Sequence, residues 1–262
     1  MDPIIQSLER GLAILKLLAE HGPMSGAQIA RHLGVHQSTA SRLLNSMLKH
    51  GFIRKPGYHR FALDYGTLVF AGQAMQNFPL IRTCVAVCNL ISNRHGVNSA
   101  AAILYGDHLL YLTQSEVHRD GSLRLINDSA YPLHRSTLGR LLAVDRGRTV
   151  ALSLLAQSIR EKGSNEDAES IYIDTLKQVE QDGILYLRAH GHEGFNAATL
   201  VKIPAEVVAL AIYSNKRTLN REEARELLRT GSELMRKKLV GFDQEEDAKT
   251  PTDNHGEATR IL

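Results

Sequence analysis

Residues 34–49 read GVHQSTASRLLNSMLK. Placed at 100° per residue, Ala40, Leu43, Leu44, Met47 and Leu48 fall on one side, at the i, i+3, i+4, i+7, i+8 spacing of an amphipathic helix. Ser38, Ser41, Arg42, Asn45 and Lys49 fall on the other. A face meant only for solvent favours Glu, Lys and Gln, which keep helix propensity. Ser, Thr and Asn lower it, because their side chains compete for backbone hydrogen bonds. The composition suits a face that touches something, but periodicity alone leaves a plain solvated face equally open.

The flanking sequence narrows the choice. Residues 5–20 carry Ile5, Leu8, Leu12, Leu15 and Leu18 on one helical side and stop at His21-Gly22-Pro23, which cannot continue a helix. A second short helix opens at Ser25, whose spacing to Gln28 matches a capping box, and buries Ile29 and Leu33. Gly34 supplies the turn into the opening stretch. After Gly51, the segment FIRKPGYHRFAL sets Phe52-Ile53 and Phe61-Leu63 around a Pro56-Gly57 turn, which predicts a short hairpin. Three helices and a hairpin make a winged helix-turn-helix, whose third helix enters the DNA major groove. Ser38, Thr39, Ser41, Arg42 and Asn45 then face bases and phosphates, with Gln37 and Ser25 at the starts of the third and second helices. Arg42 suits guanine and Asn45 adenine. Lys55, His59 and Arg60 on the hairpin suit phosphate or minor-groove contacts. A winged helix used for protein contact is the bland alternative.

Charge favours the DNA reading. Residues 1–64 hold eight Lys/Arg against four Asp/Glu, a balance of +4 within a chain of net +3. A basic head suits a polyanionic partner. Residues 243–262 hold six acids and two bases and few apolar residues, which predicts a disordered acidic tail. No apolar run approaches the roughly 20 residues that span a bilayer, and the start MDPIIQSLERG has no secretory pattern. Cys84 and Cys88 read as reduced thiols on one helix face, so a cytoplasmic location is expected.

Residues 65–78 are apolar on more than one side, through Leu68, Val69, Phe70, Ala71, Ala74, Met75 and Phe78. Such a helix must be buried, and a second copy of the chain is the natural partner, so this segment is expected to link and dimerise. From Pro79 the patterns mix: an amphipathic helix to Gly96, two strands around Gly106-Asp107, a strand at SLRLI, a short helix at STLGRLLAV and two more over 146–161 and 167–181. Late strands follow at ILYLRAHG, FNAATLVKI and VVALAIYS, and Asn220-x-x-Glu223 caps a last helix with Ala224, Leu227, Leu228, Gly231 and Met235 inward. Without regular βαβ alternation, the fold class expected is α+β.

The run SLERGLAILKLLAEHGPMSGAQIARHLGVHQSTASRLLNSMLKHGFIRK resembles the N-terminal signature of the IclR family of bacterial transcriptional regulators, through Leu33, Gly34, Ser38, Thr39, Arg42, Leu43 and Leu44. Further on, the segment from Pro132 to Arg140 resembles the family's Pro-x-His-x-Thr/Ser-x-x-Gly-Lys motif, and GFNAAT from Gly194 resembles its Gly-x-x-x-x-Ala-Ala-Pro. The resemblance covers roughly residues 5–240. It implies a winged helix-turn-helix over 1–64, a linker helix over 65–78 and a GAF-like effector domain over 79–242, an antiparallel sheet flanked by helices. It also implies dimers or dimers of dimers on pseudo-palindromic double-stranded DNA, and a small effector: a keto, sugar or aromatic acid. Carried over from members that bind keto acids, the effector positions are Thr137, Leu138, Phe195, Ile212 and Ser214. Phe195 falls where a Cys is usual and Ile212 where a Ser is usual, which implies a different ligand, or none. His36 replaces the small polar residue usual before the recognition helix, which weakens the expected N-cap and makes DNA binding sensitive to pH.

Catalytic signatures are absent: no G-x-S-x-G elbow, H-E-x-x-H or P-loop occurs. His190, His192 and Glu193 lack a partner cluster, so no metal or cofactor is expected, and His134 with Ser136 is a weak nucleophile pair without an orienting acid. The expected function is a ligand-responsive regulator, a repressor of a catabolic operon. The alternatives are a DNA-binding protein whose second domain only assembles the oligomer, and an enzyme tethered to DNA.

Overall fold

The computed structural model describes residues 5–117, 123–125, 131–188, 194–204, 206–216 and 218–247, with backbone alone for 123–125 and 240–247. The 190–193 stretch and the tail from residue 248 lie outside the described residues. The described residues form two compact units, parted between Phe78 and Pro79.

The first unit opens with α1 (Gln6–His21), a two-residue strand β1 (Met24–Ser25), α2 (Gly26–His32) and α3 (Gln37–Lys49). The strands β2 (Ile53–Gly57) and β3 (Arg60–Leu63) follow, and α4 (Gly66–Asn77) ends the unit. The capping box forms: the Ser25 hydroxyl accepts from Gln28 N at 3.2 Å, and Ser25 N donates to Gln28 Oε1 at 2.8 Å. Ile14, Leu18, Met24, Ile29, Leu44 and Ile53 make the core. The inward stripe of α1 differs from the expected one. Ile14 and Leu18 are buried, Leu15 is half-buried, and Ile5, Leu8 and Leu12 are exposed. The helix carries two apolar stripes, and spacing alone does not say which meets the core.

The hairpin turn also differs. Pro56 and Gly57 belong to β2, and the chain reverses at Tyr58-His59, between the paired Gly57 and Arg60. Pro56 has no N–H for a ladder, and the register shifts between Arg54 and Gly57. His59, the second of the two turn residues, takes φ 55, in the left-handed region that residues with a side chain rarely adopt.

The second unit begins with α5 (Pro79–His95), β4 (Asn98–Tyr105), β5 (His108–Val117) and β6 (Leu123–Leu125). Three helices follow, α6 (Thr137–Asp145), α7 (Arg148–Glu161) and α8 (Ala168–Asp182). The chain returns to the sheet with β7 (Ile184–Arg188), β8 (Phe195–Lys202) and β9 (Val207–Ser214), then enters α9 (Arg221–Asp247). The sheet runs β6-β5-β4-β9-β8-β7 and is antiparallel throughout. Helices cover both faces. Cys84, Val87 and Cys88 of α5 and Leu228 and Met235 of α9 pack with Phe195, Leu210 and Ile212 on one face. Leu138, Leu141 and Leu142 of α6 and Leu154 and Leu155 of α7 pack with Ala100, Ala198, Ala209 and Ala211 on the other. Burial holds the Cys88 thiol up to about 12, so both cysteines are inert core residues.

Close approach explains two glycines here. A Cβ at Gly231 of α9 would lie 2.9 Å from both Ile91 and Leu210 side chains, and one at Gly139 of α6 would lie 2.6 Å from Leu133 O. The second contact ties the start of α6 to the segment before it, which places the candidate effector positions.

Candidate functional site

The helix α3 is held by its apolar side, with Ala40 and Leu44 buried and Leu43, Met47 and Leu48 half-buried. Gln37, Ser38, Ser41, Arg42, Asn45 and Lys49 are exposed on the other side, while Thr39 is half-buried at its margin. No partner among the described residues engages the side chains of Gln37, Ser41, Arg42 or Asn45. An exposed arginine and amide on one helix face, free of intramolecular bonds, are free for bidentate contacts to base edges. Ser25 is committed to its capping box, with a hydroxyl that also donates to Gln28 Oε1 at 3.0 Å.

His36 caps α3. Its backbone is extended, φ −66 and ψ 148, and its Nδ1 accepts from Ser38 N at 3.3 Å. The same Nδ1 lies 2.9 Å from the Ser38 hydroxyl. The N-cap that sequence comparison marked as weakened is therefore present, supplied by an imidazole nitrogen instead of a hydroxyl. It exists only while Nδ1 is unprotonated, since an imidazolium has no acceptor.

The wing carries Lys55, His59 and Arg60, all exposed. Lys55 Nζ rests 5.5 Å from the Phe61 ring centroid, a cation–π contact that orients the ammonium. Tyr58 at the tip is 90% exposed and packs edge-on against His59, with ring centroids 3.9 Å apart. Sequence reasoning passed over Tyr58 because it placed the turn one dipeptide early.

The linker helix α4 has no buried residue. Leu68, Val69, Phe70, Met75 and Phe78 are all more than half exposed, so its apolar surface is not covered within its own unit. Its start is docked: Gly66 N donates to Gly51 O at 3.0 Å and Phe70 stacks on Phe52 at 5.5 Å.

The five expected effector positions do not converge. Thr137 and Leu138, at the start of α6, are buried against the alanine-lined face. Phe195 and Ile212 pack in the opposite core, with α5 and α9, and Ser214 shares their strand parity. The sheet stands between the two sets. Side chains alternate along a strand, so a one-residue offset in matching β8 and β9 to the family transfers positions to the wrong face.

The neighbours on the α6 face are polar. Asn98, Tyr213 and Asn196 are register partners across β4, β9 and β8. Glu116, on the adjacent β5, is near enough for its charge to act on the Tyr213 phenol. All four are half-buried, in a face whose next row is Ala100, Ala211 and Ala198. Thr137 Oγ1 donates to Asn196 Oδ1 at 2.7 Å, which joins the row to α6. Tyr111 OH lies 3.2 Å from Ser136 Oγ, the N-cap hydroxyl of α6, which accepts from Gly139 N at 3.2 Å. Burial chiefly, then the Glu116 and Tyr111 charges, raises the Tyr213 phenol above the ordinary tyrosine range, so it stays a donor.

His134 pairs with Ser158, not Ser136. Its Nδ1 lies 2.9 Å from Ser158 Oγ, and Nε2 lies 3.2 Å from Glu166 Oε2, off the line of a hydrogen bond. Arg140 Nε donates to His134 O at 2.5 Å. The imidazole is fully buried. Burial lowers its pKa most, Glu166 opposes this, and Arg135 and Arg140 add to it. The arrangement fixes the segment leading into α6. Among the described residues no three His, Cys, Asp or Glu side chains group as a metal site, and no helix is long and apolar enough to cross a membrane.

Residues 7–57 match the IclR helix-turn-helix domain. The chain is 24% identical over 160 residues to the HTH-type transcriptional regulator RhmR of Escherichia coli (strain K12), a match spanning 61% of this chain and 62% of that protein's length. The fold is similar to that of an IclR family transcriptional regulator from Brucella abortus, with TM-score 0.70 at 20% identity over 91% of this chain and 92% of the other. It is also similar to an IclR homolog from Microbacterium hydrocarbonoxydans complexed with 4-hydroxybenzoate, with TM-score 0.65 at 16% identity over 90% and 99% of the two chains.

Proposed function

We propose that this chain acts as a ligand-responsive, DNA-binding transcriptional regulator of the IclR family, a reading supported by the match of residues 7–57 to the IclR helix-turn-helix domain and by the similar fold. The observation that carries the reading is the unengaged polar face of α3, with Arg42 and Asn45 exposed on a helix held from behind. In this reading Arg42 and Asn45 read base edges, Gln37, Ser38, Ser41 and Thr39 support them, and Lys55, His59 and Arg60 set the wing on phosphates. The exposed apolar side chains of α4 are covered by a second copy of the chain. A dimer of such heads calls for a two-fold related operator.

The second unit senses a small organic acid through the α6 face of its sheet. The 4-hydroxybenzoate held by the Microbacterium protein is a precedent within this fold. The apolar Phe195 and Ile212 do not argue against a ligand, because they belong to the opposite core. Effector binding shifts the balance between DNA-competent and incompetent dimers, and the regulated genes are a catabolic operon repressed until its substrate appears. Selection of duplexes from a random library by the full-length protein tests the reading. Enrichment of an inverted repeat with half-sites about one helical turn apart, or a multiple of it, supports it. Recovery of unenriched sequence would remove it.

A further inference from the structure

We propose that Tyr58, at the tip of the β2–β3 hairpin, sets a sequence preference of its own, apart from the α3 contacts. Its ring enters the minor groove beside each half-site and selects A·T over G·C pairs there. The inference rests on the DNA-binding reading above and adds a second reading element to it.

Folding of the head gives no use for a tyrosine here. The side chain is 90% exposed and takes no part in the core of the first unit. No described residue bonds its hydroxyl. A large aromatic surface is left in water, where burial would have been favourable. The backbone that carries it is constrained all the same. Pro56 fixes its own φ, and His59 takes φ 55, a costly conformation for a residue with a side chain. The His59 ring stands edge-on to the Tyr58 ring, with centroids 3.9 Å apart, which limits the ring's freedom. A constrained, exposed ring loses little entropy when it is covered by a partner.

The surroundings choose that partner. Residues 53–63 contain Arg54, Lys55 and Arg60 and no Asp or Glu. All three cations are exposed, and no described residue forms an ion pair with Arg54 or Arg60. An aromatic tip between unpaired cations suits a polyanion rather than an apolar protein surface. The hairpin leaves the end of α3 directly, with Phe52 N donating to Met47 O at 3.1 Å, so α3 and the tip belong to one continuous surface. On DNA the cations meet phosphates while the ring lies against the sugars that wall the groove. The minor groove is about 6 Å wide and shows only acceptors at A·T pairs, whereas G·C adds the guanine N2 amino group. The phenol hydroxyl donates to those acceptors. At a G·C pair the amino group rises from the groove floor into the space the ring needs.

The test uses the full-length protein and duplexes carrying the selected inverted repeat. The pairs about half a helical turn out from each half-site centre are made A·T, G·C or inosine·C. Inosine lacks the N2 amino group, so its pair with C keeps guanine's O6 and N7 in the major groove but clears the minor-groove floor. Fluorescence anisotropy at one salt concentration should show A·T and inosine·C flanks bound alike and G·C flanks bound about fivefold or more weaker. Tyr58→Ala should bind all three alike, keep its preference for the repeat over a scrambled duplex, and keep the wild-type urea midpoint. Equal wild-type affinity for the three flanks overturns the proposal. So does weak binding of inosine·C together with G·C, which assigns the preference to the major groove. A Tyr58→Ala protein that still prefers A·T and inosine·C also overturns it, since the cations alone then read the groove. Selection of a repeat with indifferent flanks removes this inference alone, whereas selection of no repeat removes the DNA-binding reading and this inference with it.

Discussion

Gly66→Ala should loosen the linker helix from the DNA-binding head. The added Cβ would lie 2.4 Å from Gly51 O, 2.9 Å from Gly51 C and 3.3 Å from Phe52 N. These are backbone atoms, so no rotamer change relieves the contact. The start of α4 must move away from the turn after the recognition helix, and the 3.0 Å bond from Gly66 N to Gly51 O stretches with it. Overpacking of this kind costs about 1–3 kcal/mol, and a weakened hydrogen bond adds about 1 kcal/mol. The better helix propensity of alanine returns less than about 1 kcal/mol. The net expectation is a loss of about 1–3 kcal/mol from the head. Gly72, in the same helix, has nothing within 4 Å of its Cβ position, so Gly72→Ala should gain up to about 1 kcal/mol. Urea unfolding of both full-length variants, followed by far-UV circular dichroism, reads the difference. A Gly66→Ala protein as stable as Gly72→Ala would refute the close-approach argument.

Lys55→Ala should weaken binding to all duplexes alike and lower the slope of log affinity against log salt by about 1, as for one lost phosphate contact; a loss confined to particular sequences would contradict that role. His36→Ala should remove the Nδ1 acceptor that caps α3 and cost the head about 0.5–2 kcal/mol, while His36→Ser should keep a cap; equal urea midpoints for the wild type and His36→Ala would remove the idea. His134 has a folded pKa below its ordinary value, so the unfolded chain takes up a proton first as pH falls. Stability is therefore full above the ordinary histidine range near about 6.5 and declines below it, down toward the lowered folded pKa. Melting curves over that window should show the decline in wild type and a flatter profile in His134→Asn; a wild type that gains stability as pH falls would reverse the sign.

The head was the more legible half of the sequence because its signals are local. A capping box, a turn glycine and one strong helical stripe each constrain a few neighbouring residues, and α2 and α3 follow from them. The failures there have local causes too. The second apolar stripe of α1 has the same spacing as the buried one, and Pro56 suggested a turn that the ladder places two residues later. In the second unit the elements could be read, but not their pairing. Whether Asn196 or Phe195 faces α6 depends on strand parity, and parity is fixed by the register between β8 and β9 rather than by residue type. The polar row exists only once β4, β9 and β8 are side by side, so its members, far apart in the chain, gave no shared signal.

The most direct test of the account is the affinity of wild type and Arg42→Ala for the selected duplex against a scrambled one of equal length, at one salt concentration. Loss of one bidentate base contact predicts that Arg42→Ala gives up about 1–3 kcal/mol of discrimination, roughly a 5- to 150-fold drop in preference, with the dimer intact by light scattering. An unchanged preference would contradict the assignment of α3 as the helix that reads DNA.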